Sequence, residues 1–231
     1  MKANNIKNIA PNCVKPRGRS LFTSKSSGLG GLTLLALSCI AGSPQASDSQ
    51  DSALYDLAPE GSAFVRLINL RRSASEVVLA EKSLKTNDHC AASRYRYFSP
   101  GEYRVLSQDL QLAARLEPQQ AYSIVIDESQ LILIKDAYVN DRKRSLVSAY
   151  NFSQSTSLAL KTADGKHTVF AGLEPLKQQA RSINPVKAHF SLFADDVSVL
   201  AINPVIFERG VASSLLICGD EKPRLSRWVR Q

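Results

Sequence analysis

Histidine is scarce in this chain, with three among 231 residues, and His89, His167 and His189 stand far apart in the sequence. No second pair of ligands lies at zinc spacing from Asp88-His89-Cys90, which argues against a metal site there and favours a loop. His189 alternates with Val186, Ala188 and Phe190, the pattern of a strand residue rather than a base. The nucleophile elbow Gly-x-Ser-x-Gly is missing, and Gly219-Asp220 is followed by Glu221 where a Gly-Asp-Ser esterase block carries its serine. Neither a phosphate-cradling glycine loop nor a dinucleotide fingerprint occurs, so no cofactor is implied. Helical periodicity is nearly absent, since no window keeps apolar residues at three-four spacing through three turns. Long apolar runs are missing too: Leu29 to Ile40 spans about 12 residues, short of the roughly 20 that cross a bilayer as a helix.

That run follows a leader carrying Lys2, Lys7, Lys15, Arg17, Arg19 and Lys25 with no acidic residue. Basic leader, apolar run and small residues at Ala41, Ser43 and Ala46 together read as a cleavable secretory signal peptide over 1–46. Its removal takes six of the 29 basic residues and none of the 21 acidic ones, leaving 23 against 21. The basic character of a nucleic-acid binder leaves with the leader, and no helix-turn-helix, RNP or zinc-finger pattern restores it. The expected location is the periplasm. Two cysteines remain after cleavage, Cys90 and Cys218, in an oxidising compartment. A bridge between them and one free or buried thiol in each half are both open.

What the chain does have is short β-branched and aromatic runs separated by turn formers, and it has them twice. Val65-Arg-Leu-Ile-Asn69 and Val147-Ser-Ala-Tyr-Asn151 are each followed by an apolar residue and a polar turn. Leu116-Glu117-Pro118 leads into an apolar run ending at Ile126, as Phe207-Glu208-Arg209 leads into one ending at Ile217. One folding unit is written twice. The spacing of strands and turns implies an all-β chain of two tandem Ig-like antiparallel β-sandwich domains, 47–136 and 145–231, joined by a short polar linker at 137–144. Asp164-Gly165 suggests a type I′ hairpin. A polar linker also predicts freedom between the domains unless their interface is large.

Candidate binding residues are more numerous than candidate catalytic ones. In the last strand, alternation puts Arg224, Ser226, Trp228 and Arg230 on one face and Leu225, Arg227 and Val229 on the other. A Trp flanked by Arg is suited to stacking on a sugar ring and pairing with its carboxylates; core packing of the sole Trp is the alternative. Arg142, Lys143 and Arg144 in the linker either meet an acidic polymer or are ordinary solvated charge. No catalytic or metal-ligating residue is assigned.

Several words of the sequence carry a resemblance. Leu54-Tyr55, then Ala58-Pro59-Glu60-Gly61-Ser62-Ala63-Phe64-Val65-Arg66, then Lys161-Thr162-Ala163-Asp164-Gly165-Lys166, then Ile183-Asn184-Pro185-Val186-Lys187 occur in the order seen in the AlgF family. The chain resembles that family, the periplasmic accessory proteins of alginate O-acetylation, from about Leu54 to Val229. The resemblance implies a non-catalytic adaptor that links periplasmic SGNH-type acetyltransferase components, the membrane acyltransferase and alginate or polymannuronate itself. The family offers no active-site motif to carry over, and Cys90 falls in a loop where the family pattern expects no cysteine. Two other functions stand beside the adaptor: a polyuronate-binding module, which needs Trp228 exposed together with its arginines, and an acetyl carrier or transferase using Ser, His or a thiol.

Overall fold

The computed structural model describes residues 58–138 and 141–230, so the leader and the expected cleavage region lie outside the described residues. The described residues form strands, bridged turns and loops, with no helix. The first half contributes β1 (Ala63–Asn69), β2 (Ser75–Leu79), β3 (Lys82–Thr86), β4 (Ala91–Ala92), β5 (Arg96–Phe98), β6 (Gly101–Leu106), β7 (Gln111–Leu116), β8 (Ala121–Ile126) and β9 (Leu131–Asp136). The second half contributes β10 (Ser145–Phe152), β11 (Leu158–Thr162), β12 (Thr168–Leu173), β13 (Gln178–Ile183), β14 (Lys187–Ala194), β15 (Val197–Ile206), β16 (Ala212–Cys218) and β17 (Leu225–Arg230).

Each half folds into two sheets. In the first, β3-β2-β6-β7 faces β4-β1-β8-β9, with β5 also paired to β1; in the second, β12-β11-β14-β15 faces β13-β10-β16-β17. Antiparallel pairing was the expectation and holds for every pair but two. β1 runs parallel to β8, and β10 runs parallel to β16. Parallel strands are stable where both faces are covered, and these four are the most buried strands of the molecule: every residue of β8 and β10 is buried.

The reason lies in how the two sandwiches meet. Val65 and Leu67 of β1, with Tyr122, Ile124 and Ile126 of β8, point into the first core against Val77, Leu79, Leu84 and Val105. The alternate residues Ile68 and Val125 point the other way and pack on Tyr150, Phe152, Leu216 and Cys218 of the second half. Val147, Ala149, Leu215 and Ile217 in turn fill the second core with Leu158, Leu160, Phe190 and Phe207. The result is four stacked layers, with the β1 and β10 sheets inside and the β2 and β11 sheets outside. Burying the five large side chains Ile68, Val125, Tyr150, Phe152 and Leu216 between the inner sheets contributes on the order of 10 kcal/mol before entropy costs. The freedom expected between the domains is therefore not found: a hydrophobic interface of this size, with a covalent bond across it, fixes them.

The duplication is legible at the level of single bonds. Asn69 pairs with Ile126 in the first domain and Asn151 with Ile217 in the second. Both Asn side chains are fully buried and brace the turn that follows. Asn69 Nδ2 donates to the carbonyls of Ser73 and Asp88, and its Oδ1 accepts from Arg71 N–H and the Ser75 hydroxyl. Asn151 Nδ2 donates to the carbonyls of Ser155 and Leu173, and its Oδ1 accepts from Ser153 N–H and hydroxyl. Glu117 meets Lys135 at 2.6 Å, and at the corresponding place Glu208 meets Arg230 at 2.7 Å.

Two local expectations need correction. β3, β4 and β13 are not apparent from the sequence: β3 and β13 carry mainly Lys, Ser, Gln and Arg, β4 is two residues long, and all three sit at sheet edges, where pairing with a neighbour rather than apolar content makes the strand. The Asp164-Gly165 turn is not type I′, because Gly165 alone of the two has a positive φ, at 72°. The turn closes instead by Gly165 N–H donating to the Thr162 carbonyl, with Thr162 N–H donating to His167.

Candidate functional site

The largest concentration of buried polar groups lies between the two inner sheets. Arg66 of β1 faces away from the first core and is fully buried. Its Nε donates to Ser123 Oγ at 2.8 Å; its Nη2 donates to Tyr150 Oη at 2.9 Å and to Ser214 Oγ at 3.2 Å. Asp136, at the end of β9, accepts from the hydroxyls of Ser123 at 2.6 Å, Tyr95 at 2.7 Å and Tyr150 at 2.7 Å, and lies 3.9 Å from Arg66 Nε. The guanidinium carbon also sits 4.8 Å from the Tyr95 ring centre and 5.3 Å from that of Tyr150.

Electrostatically this cluster is closed. Burial opposes the charge on Arg66, and the facing Tyr150, Tyr95 and Asp136 more than offset it, so the guanidinium is held above its ordinary value. Burial, together with the neighbouring Asp136, pushes the Tyr95 and Tyr150 phenols well above theirs, so both stay neutral donors. The cation and the carboxylate are each hydrogen-bonded, which offsets the cost of burying them, and Arg66 Nη1 alone is left buried without a partner among the described residues. Four of the cluster's members, Arg66, Tyr95, Ser123 and Asp136, come from the first domain, and Tyr150 and Ser214 from the second.

A disulfide crosses the same interface. Cys90 and Cys218 are bonded, with an S–S distance of 2.02 Å and Cα atoms 6.1 Å apart. Above it opens a cleft of about 780 Å³ between the domains, lined in part by Leu70, His89, Asp127, Phe152 and Arg224. His89 Nδ1 donates to the Leu70 carbonyl at 2.8 Å. The cleft's serines are committed elsewhere: Ser129 to Asp127 and Ser153 to Asn151. No serine or cysteine among the described residues is hydrogen-bonded to a histidine ring, the arrangement that activates a nucleophile. Among the described residues no group of three or more His, Cys, Asp or Glu is placed to hold a metal ion.

The residues singled out from the sequence do not converge. Trp228 packs into the second core, edge-on to Phe207 with centroids 5.4 Å apart and tilted against Phe190, and its Nε1 donates to the Asn203 carbonyl. Arg230 donates to the Ile206 carbonyl and pairs with Glu208. Both side chains thus tie β17 to the free edge of β15. On the opposite side Gln179 and Arg181 of β13 do the same to β12. Exposed backbone edges invite pairing with other chains, and these bonds close them. Trp228 is half-buried, with one edge packed on the core and its Nε1 committed to β15.

Arg227 lies in the domain interface, 3.0 Å from Asp88. Arg224 is exposed at the cleft rim. Arg142, Lys143 and Arg144 stand on the exposed linker turn, with Arg144 donating to the Ser182 carbonyl. The sequence reading missed Arg66 and Asp136 altogether. The available signal was a charged residue at the centre of an otherwise apolar strand, Val65-Arg66-Leu67-Ile68.

With the geometry in place, comparison with known proteins gives a consistent result. A family profile described as "Alginate O-acetyl transferase AlgF" matches residues 34–214. The chain belongs to the AlgF family. It is 31% identical over 188 residues to the alginate biosynthesis protein AlgF of Pseudomonas aeruginosa, covering 80% of this chain and 87% of that protein. To AlgF of Pseudomonas putida it is 32% identical over 210 residues, covering 90% and 97%. Among solved structures, the C-terminal domain of AlgF from P. aeruginosa aligns at 37% identity with a TM-score of 0.35, covering 38% of this chain and 99% of that domain. The N-terminal domain aligns at 29% identity with a TM-score of 0.31, covering 35% and 100%. The strongest family word in the sequence, Ser62-Ala63-Phe64-Val65-Arg66, ends on the arginine at the centre of the interface cluster.

Proposed function

We propose that this AlgF-family chain is a non-catalytic periplasmic adaptor in alginate O-acetylation, and that it brings periplasmic SGNH-type acetyltransferase components together with the membrane acyltransferase. The observation that carries the proposal is the direction of the polar chemistry. Among the described residues, the cluster of buried titratable side chains Arg66, Asp136, Tyr95 and Tyr150 faces inward, and its hydrogen bonds run to its own members and to Ser123 and Ser214. Both described cysteines are joined to each other, and the histidines have no serine or thiol to activate. The relatives' names, alginate biosynthesis protein, supply the process. A protein whose reactive groups are used to fix two domains acts by presenting surfaces.

The test has two arms on the full chain. A tagged chain expressed in an alginate-producing cell is recovered from the envelope after mild cross-linking, and the expected result is co-recovery of acetylation enzymes. Separately, the purified protein incubated with an acetyl donor is weighed intact. An acetyl adduct that forms on native protein and moves to mannuronate oligomers would establish a carrier and overturn the adaptor, as would failure to retain any acetylation component.

A further inference from the structure

At the end of the second sandwich, where β13 turns into β14, a recess of about 560 Å³ opens directly onto the core. Its floor is Val147 and Phe190, both buried core residues. Val169, Ile183 and Ala188 form half-buried walls, and Val186 stands at the mouth, 50% exposed. The mouth is fixed in shape. The Val186 carbonyl accepts from Phe207 N–H at 2.9 Å and the His189 carbonyl from Ala163 N–H at 2.9 Å, while Arg181 Nη1 donates to the Val169 carbonyl at 3.1 Å.

Free charge around this mouth has one sign. Lys187 borders the recess beside His189, and Lys166 stands on the turn that Thr162 closes by donating its N–H to the His167 carbonyl at 2.8 Å. Both lysines are exposed and form no ion pair among the described residues. The carboxylates nearby are engaged. Asp164 accepts from the Thr162 hydroxyl and from Lys166 N–H, which hold it below its ordinary value, and Glu208, next to the Phe207 that anchors Val186, pairs with Arg230 at 2.7 Å.

A fixed apolar recess bordered by unpaired cations suits one desolvated anchor side chain from a partner protein, steered into place by charges at the margin. A sugar chain fits it poorly, because the lining is aliphatic apart from the buried Phe190 and offers no open ring face for stacking. A bilayer fits it poorly as well, because Val186 is the one large apolar side chain exposed at the mouth, too little to insert. We propose that this recess is a docking site for a protein segment that inserts an apolar side chain and carries Asp or Glu on either side of it. The anchor lies on Phe190 between Val169 and Val186, and the flanking carboxylates meet Lys187 and Lys166. That the segment belongs to an acetylation component rests on the adaptor function proposed above, while the position and chemistry of the site rest on the recess and its rim alone.

The experiment is biolayer interferometry of the immobilised full chain with each purified SGNH-type acetyltransferase component of an alginate-producing cell. Val186→Asp puts a charge at the mouth without touching the core, with its fold checked by Trp228 fluorescence and the urea midpoint, and should weaken binding at least about tenfold. Lys166→Gln/Lys187→Gln should weaken it and flatten its salt dependence. Val197→Asp, at an exposed Val at the opposite end of the β14–β15 ladder, should bind as the unaltered chain does. Unchanged binding by both Val186→Asp and the lysine pair, or an equal loss in Val197→Asp, would overturn the site and leave the adaptor standing. No binding of any component by the unaltered chain would overturn both. Self-association in sedimentation velocity that Val186→Asp abolishes would assign the recess to a second copy, and capture on phosphatidylglycerol vesicles that it abolishes would assign it to a membrane; either result overturns the proposal.

Discussion

Replacing both Cys90 and Cys218 with alanine tests how the domains are joined. The bond closes a loop of 128 residues in the unfolded chain, and the chain-entropy relation for a loop of that length gives a stabilisation of about 5 kcal/mol. With an unfolding entropy of ~2 cal/mol/K per residue over roughly 170 ordered residues, that corresponds to a fall in Tm of about 14 °C. Apolar packing of Ile68 and Val125 on Tyr150 and Leu216 remains in the variant, so the domains should stay docked at ambient temperature. The assay is thermal and urea unfolding followed by the fluorescence of Trp228, the sole tryptophan and a member of the second core. Native protein should also resist mild reductant without denaturant, since Cys90 and Cys218 are 0% and 1% exposed. A double variant whose Tm falls by less than about 2 °C would refute the argument, because the bond would then be closing no costly loop.

Three further outcomes are expected. Arg66→Met leaves Asp136 buried without its cation and should cost about 3–5 kcal/mol, as should Asp136→Ala, while Arg66→Met/Asp136→Ala should cost much less than the sum; strict additivity in urea midpoints would mean the two do not interact. Asn151→Ala strips the braces from the Ser155 and Leu173 carbonyls and from Ser153 N–H, with an expected loss of about 2–4 kcal/mol; a midpoint change under about 0.5 kcal/mol would count against the bracing role. In acid, Asp127 is held below its ordinary value because hydrogen bonds from Ser129 and Gln130 outweigh its partial burial, and Glu76, Glu117, Asp164 and Asp196 are lowered by their own partners. Groups with depressed values contribute stability above the unfolded pKa and lose it as pH falls through the folded one, so urea midpoints should be flat above about pH 5 and decline only below about pH 4; a decline beginning near pH 6 would contradict this.

The duplication was readable because its markers are turn residues with one mechanical task. Asn69 and Asn151 end their strands by hydrogen-bonding the next loop, and an Asn before a polar turn is a signal that survives without structure. The acidic residues Glu117 and Glu208 were legible as a repeated position, though their pairing with Lys135 and Arg230 was not, since it depends on the register of a later strand. The interface escaped for a definite reason. Alternation assigns one face of a strand to the core and the other to water, and β1, β8, β10 and β16 have cores on both sides. Tyr150 and Ser148 therefore look like a mixed surface face while being buried. Arg66 is invisible to the same logic, because its partners Asp136 and Ser214 lie 70 and 148 residues away in sequence.

The four-layer order has a mechanical consequence. The β2 and β11 sheets turn their free faces in opposite directions, and three sheet-to-sheet spacings of ~10 Å put those faces about 30 Å apart. Proteins seated on the two sides do not compete for room, and the separation is set by packed side chains and a covalent bond, so it does not breathe as a flexible tether would. On the adaptor function proposed above, partners held on the two faces would meet at a local concentration fixed by geometry rather than by expression level, with the molecule acting as a ruler as much as a link.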